Sequence, residues 1–252
     1  MNVTCFPFVI LMFYILPVSA GGAESDTLVV FEASATEPGT LPEHWEHILP
    51  PKHRVYTNYV VERSIDGPFL LIRSASTSSW LELDLSDRNL ADFTIMEWQW
   101  KVDRFPKVEW EQEPSSDDFA LRIELVYDFK GSGWNILNAI KKGLITSIFR
   151  GYPPELIVSY VWSVNVPSDR PYVSPESKRT VIIPIESNDV IKNRWIKEKR
   201  NIRKDYNLLR KNTDLVLKKI RIRSDTDNTS SISESGLKYI YLSTINPDSR
   251  DR

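Results

Sequence analysis

Two aspartates, Asp117 and Asp118, stand side by side ahead of a long alternating run, and a second oxygen-rich cluster, Asp225-Thr226-Asp227-Asn228-Thr229, lies near the C-terminal end. Oxygen-bearing side chains at Asp225, Asp227 and Thr229 fall on every second residue, a spacing that can wrap a hard cation such as Ca²⁺. Asp117 or Asp118 would close that shell from the other loop. The cluster is not an EF-hand loop, because Ser230 occupies the turn-glycine position and Gly236 that of the bidentate glutamate. The alternative is an Asx-turn cluster, in which Asp and Asn side chains accept from backbone N–H groups. The same carboxylates could serve a glycan as general acid and base. Adjacent residues of an extended run point to opposite faces, so the working pair would be Asp118 with Asp225 or Asp227, if their loops meet.

Aromatic side chains supply the second kind of chemistry, stacking against sugar rings. Trp80 shares a strand face with Glu82 and Asp84, Trp110 sits in a loop with Glu109, Glu111 and Glu113, and Trp162 lies in an apolar run; these three are candidate ligand contacts, with Asn228 beside the aspartates. Trp98 and Trp100 share one strand face and read most simply as core. Three histidines, His44, His47 and His53, invite a metal reading, but Pro42, Pro50 and Pro51 break any helix that could pair two imidazoles. No nucleophile elbow, phosphate loop, Cys/His dyad or zinc-binding helix motif is present.

The elements that position these residues are mainly strands. From Phe119 to Phe129 large apolar residues alternate with Ala120, Arg122, Glu124, Val126 and Asp128, the period of a strand in a sandwich. Further strands are expected at 27–31, 56–62, 68–74, 79–85, 93–103, 156–164, 180–185, 195–202, 215–223 and 236–245. After Gly131-Ser132-Gly133 the period changes: Trp134, Leu137, Ile140, Leu144 and Ile148 form one stripe, an amphipathic helix over about 134–149 that either caps the sandwich or meets a membrane surface. A short basic helix or turn follows at 203–211. The inventory, about ten strands with one or two short helices, is that of a jelly-roll or galactose-binding-like β-sandwich.

Formal net charge is −2, from 32 basic and 34 acidic residues, so no global field favours nucleic acid. The basic run 197–204 is interrupted by acid and reads as a solvated edge. Residues 1–20 carry no charged side chain and end in Val18-Ser19-Ala20, the pattern of a signal peptide. The single domain then spans 21–252, in the periplasm or outside the cell, with no membrane span. The only cysteine, Cys5, lies in the segment to be removed, so the exported chain can form no disulfide.

Leu41-Pro42-x-x-Trp45, Trp98-x-Trp100-x-Val102-Asp103, Asp117-Asp118-Phe119-Ala120, Tyr160-Val161-Trp162-Ser163, Asp205-Tyr206 and Asp225-Thr226-Asp227-Asn228-Thr229 occur in an order that resembles the bacterial domain of unknown function 3047 family. The resemblance implies an exported jelly roll and no established activity. His44 stands where that pattern has a glycine, and Tyr239-Ile240-Tyr241 lacks its Gly-Asp. The readings carried forward are a non-catalytic protein binding a carbohydrate or cell-envelope ligand, a polysaccharide lyase or hydrolase, and a structural envelope-interaction protein. Exposure of the tryptophans separates the first from the last.

Overall fold

The computed structural model describes residues 26–51, 53–129, 154–188, 191–209 and 215–244; the leader and the expected helix at 134–149 lie outside them. The described strands are β1 (Thr27–Glu32), β2 (Glu46–Ile48), β3 (Asn58–Ser64), β4 (Gly67–Ala75), β5 (Ser78–Asp84), β6 (Phe93–Arg104), β7 (Phe119–Phe129), β8 (Leu156–Ser163), β9 (Tyr172–Val173), β10 (Thr180–Ser187), β11 (Ile196–Asn201), β12 (Leu215–Asp225) and β13 (Ile232–Thr244), with one helix, α1 (Ile202–Leu209), before β12. Two short strands, β2 and β9, have too few residues to show a period and were not expected.

The strands form a two-sheet sandwich. One sheet runs β11-β6-β13-β4-β3, with β1 also on β13; the other runs β2-β5-β12-β7-β8-β10-β9. From β4 to β7, and again from β10 to β13, successive strands alternate between sheets, the crossing habit of a jelly roll. All pairs are antiparallel except β8 with β10.

An aromatic seam joins the sheets. Trp98 stacks on Tyr160 at 5.6 Å between ring centroids, Trp100 meets Trp162 at 5.8 Å, and the two β6 tryptophans pack edge to face. Leu121, Ile123, Leu125, Ile220, Ile222, Ile240 and Leu242 fill the same interior. Trp45 plugs one side against Phe31, at 6.3 Å. Gly236, where β13 lies between β4 and β6, is required by close approach: a Cβ there would fall 2.9 Å from the Phe69 and Trp195 rings.

The alternation of β7 departs from expectation at its start. Register shifts between Arg223 and Asp225 on β12, and Phe119 is turned to the outer side of the sheet with Val161 and Ile182, while Leu121 to Tyr127 face the core. Both faces of β7 are nevertheless buried through Tyr127. Arg122 and Glu124 on its outer side are therefore interior charges.

His44 has φ 67°, the left-handed region that disfavours a side chain, and its imidazole is exposed. A glycine, which the resemblance implies there, would meet this backbone requirement. Replacing His44→Gly is expected to raise unfolding stability by about 1 kcal/mol, read from urea denaturation midpoints.

Candidate functional site

The outer face of the seven-stranded sheet gathers most of the candidate residues. Strand pairing sets two rows across it. Ile48, Trp80, Arg223, Arg122 and Val161 lie in one, and Glu46, Glu82, Arg221, Glu124 and Ser159 in the next. Period-2 alternation puts the charges outward and the leucines and isoleucines of the same strands inward. Arg221 Nε donates to Glu82 Oε2 at 2.7 Å, Lys219 Nζ pairs with Glu82 Oε1, and Arg221 and Arg223 both approach Glu124. The β5–β12 half of this face reaches solvent, whereas Arg122, Glu124 and Ser159 are buried.

Asp225 is the hub. Its carboxylate accepts from Arg122 Nε and NH2 at 3.1 and 2.7 Å, and from the Phe119 N–H, and Arg223 NH2 lies 2.8 Å away. Arg122 NH2 also donates to the Asp117 carbonyl and lies 3.2 Å from Asp117 Oδ1. Burial opposes the Arg122 charge, but Asp117, Asp225 and Glu124 outweigh it and hold its pKa well above the ordinary value.

The loops at this end do meet. One oxygen from each of Asp118, Asp225 and Asp227 falls within 4.8 Å of the others. Asp117 and Asp118 precede β7 rather than alternate within it, after a 3₁₀ turn at Pro114–Ser116. Asp118 ties down the second loop: Oδ1 accepts from the Asn228 N–H at 3.3 Å, and Oδ2 from the Thr229 N–H and hydroxyl at 2.7 and 2.6 Å. Burial first, and then the neighbouring Asp225 charge, push its pKa up to about 6. Ser174 donates to Asp117 Oδ2, and Asn228 Nδ2 reaches Pro114 and Glu176.

This arrangement fits the capped-turn reading better than a cation shell. Both oxygens of Asp225 face guanidinium groups, both of Asp118 accept from the turn, and Thr229 is spent on Asp118 and Ser231. Only Asp227, with one unpartnered oxygen and His53 at 3.7 Å from the other, is left to a metal. A divalent ion would have to displace arginines from a carboxylate, so the donor set does not suit Ca²⁺. Asp118 and Asp225 are also sealed from any substrate: neither side chain has measurable exposure.

The tryptophans divide. Trp162 is 0 % exposed and donates to the Asn188 carbonyl, which removes it from the candidate contacts; its alternation, like that of Trp98 and Trp100, faces the interior. Trp80 is half-buried on the outer face, with Arg221 and Arg223 guanidiniums 4.9 and 5.9 Å from its ring. Trp110 is 49 % exposed. It borders a cleft of about 220 Å³ with Gln112, Asn165, Arg170 and Tyr172. The Asn165 Oδ1 and the Tyr172 hydroxyl are buried without a partner. Glu111, which charge patterning alone does not single out, pins this loop: it is wholly buried and accepts from the Ser163 hydroxyl and the Val164 N–H.

A buried hydroxyl cluster was also not foreseen. Ser74, Thr77 and Thr226 join the β4–β5 hairpin to the loop after β12, and Thr57 reaches the Ser224 carbonyl. Small polar residues between strands read as a solvated turn; burial of the same residues is set by a distant loop.

Fold and site together define a β-sandwich protein with an interior charge cluster beneath one sheet face and an aromatic-edged cleft beside it. The chain belongs to the family described as protein of unknown function (DUF3047), whose pattern matches residues 43–241. No curated protein matches it. Among solved structures it is similar to a family 11 carbohydrate-binding module of the cellulosomal cellulase Lic26A-Cel5E of Clostridium thermocellum, at 9 % identity and TM-score 0.43, over 88 % of this chain and 95 % of that one. It is also similar to a family 11 module from the same organism in complex with a β-1,3-1,4-mixed-linked tetrasaccharide, at 8 % identity and TM-score 0.41, over 89 % and 96 %.

Removing Arg122 leaves Asp225 and Asp117 buried beside each other. Arg122→Met is expected to cost about 3–5 kcal/mol in urea denaturation, with partial recovery when Asp225→Asn is added. A second expectation concerns pH. A carboxyl whose folded pKa lies above its unfolded value stabilises the fold below the unfolded value, and that contribution fades as pH rises through the folded one. Asp118 is such a group, and burial also raises Glu111, Glu186 and Glu198. The melting midpoint should therefore fall as pH rises from about 4 to about 7, and Asp118→Asn should flatten the part of that slope below about pH 6.

Proposed function

We propose that this protein is a non-catalytic binder of carbohydrate, contacted at the Trp110 cleft. One observation carries the reading: an exposed indole bordering a cleft whose rim carries the exposed Gln112 amide and Arg170 guanidinium. An indole face covers the apolar C–H side of a pyranose, and exposed amide and guanidinium groups bind its hydroxyls. The anchoring of the loop through Glu111 supports it, because a platform held in place loses little freedom on binding. The carboxylates that catalysis would need are engaged in structural pairs. Trp80 does not join the contact surface, since Arg221 and Arg223 approach its ring.

The ligand class extends to glycans of the cell envelope, which is where the signal-peptide pattern at 1–20 would deliver the chain. Among the described residues no helix is long and apolar enough to cross a membrane.

The test is affinity electrophoresis against dextran, mixed-linkage β-glucan, xylan and peptidoglycan fragments. At least one should retard the protein; Trp110→Ala should weaken that retardation roughly tenfold, and Trp80→Ala should leave it unchanged. Retardation by none of them, or retardation indifferent to Trp110, would sink the proposal.

A further inference from the structure

A second cleft, of about 600 Å³, opens at the end of β7 away from Asp117 and Asp118. The loop after β5, helix α1 and the first residues of β12 surround it. Its floor is apolar: Leu90, Phe93, Tyr127, Ile202 and Leu217 line it, and Tyr127 meets Tyr206 at 5.0 Å between ring centroids. Its rim is basic. Arg88, Arg203 and Lys218 border it, with Asp87 as the acidic neighbour. Among the described residues none of these three cations is engaged in an ion pair, unlike Arg122, Arg200, Arg221 and Arg223, each held by carboxylates.

We infer that this cleft binds a small amphiphile with an anionic head and an apolar tail. The volume lies in the range of small-molecule sites, roughly 300–1,000 Å³, and such sites combine an apolar lining with a few charged groups that fix orientation. An apolar tail replaces water over the Leu90, Phe93 and Leu217 surface, while a carboxylate or phosphate meets Arg88, Arg203 or Lys218 at the mouth. A neutral sugar would satisfy neither the apolar floor nor the excess positive rim. This site is separate from the Trp110 cleft and stands or falls independently of glycan binding.

The experiment is isothermal titration of the full chain with four twelve-carbon probes, the three ionic ones below their micelle concentrations and the alcohol below its solubility limit: dodecanoate, dodecyl phosphate, dodecyltrimethylammonium and dodecanol. The two anions should bind and the cation should not, with dodecanol at least tenfold weaker than dodecanoate. Arg203→Ala and Arg88→Ala should each weaken dodecanoate roughly tenfold without altering Trp110-dependent retardation. Ala91→Trp, at an exposed position on the cleft border, should fill the site and abolish binding while the melting midpoint is retained. Equal binding of anion and cation, no binding of either anion, binding unaffected by Ala91→Trp, or pelleting with phosphatidylglycerol vesicles in place of monomer binding would each overturn the inference.

Discussion

The rest of the structure depends on one buried carboxylate. Asp225 ends β12 between the guanidinium groups of Arg122 and Arg223 and accepts the first N–H of β7. A charge removed from water is tolerated only when others are fixed around it. Satisfying Asp225 therefore fixes where β7 begins, turns Phe119 outward, and brings the Asp117-Asp118 loop against the loop after β12. Asp118 then completes the turn at Asn228 and Thr229. Loop geometry at this end of the sandwich follows from one electrostatic requirement.

The two faces of the seven-stranded sheet are built on opposite principles. Inward, leucines, isoleucines and the β6 and β8 aromatics pack by dispersion and burial. Outward, opposite charges meet across neighbouring strands, Glu82 with Arg221 and Arg221 with Glu124, while the adjacent Arg122 and Arg223 share Asp225 between them. Cross-strand pairs of opposite charge specify register, because a one-residue slip would set these charges against apolar neighbours and turn the apolar set outward.

These constraints also sort chemistry from architecture. Of the carboxylates that in sequence suggest catalysis or calcium, Asp118 and Asp225 have both oxygens consumed by the fold. Exposed polar groups lie elsewhere: Gln112 and Arg170 at the cleft beside Trp110, and Arg88, Arg203 and Lys218, outside any ion pair among the described residues, at the cleft by the far end of β7.

Much of the sandwich was legible in the chain itself. Period-2 runs located β3 to β8 and β10 to β13 to within a few residues, and the interior placement of Trp98 and Trp100 followed from their shared face. The motif order pointed to the family that residues 43–241 then matched. What the sequence could not decide was which polar groups meet. Trp110 and Trp162 look equivalent as candidate sugar contacts, yet one is displayed and the other sealed; Asp118 and Asp225 look free, yet each is spent on a partner distant in the chain. Periodicity is a local property, set by the geometry of a single strand and so written in consecutive residues. Burial and charge pairing are sums over neighbours brought together by sheet order and register, and those are decided only when the two sheets close.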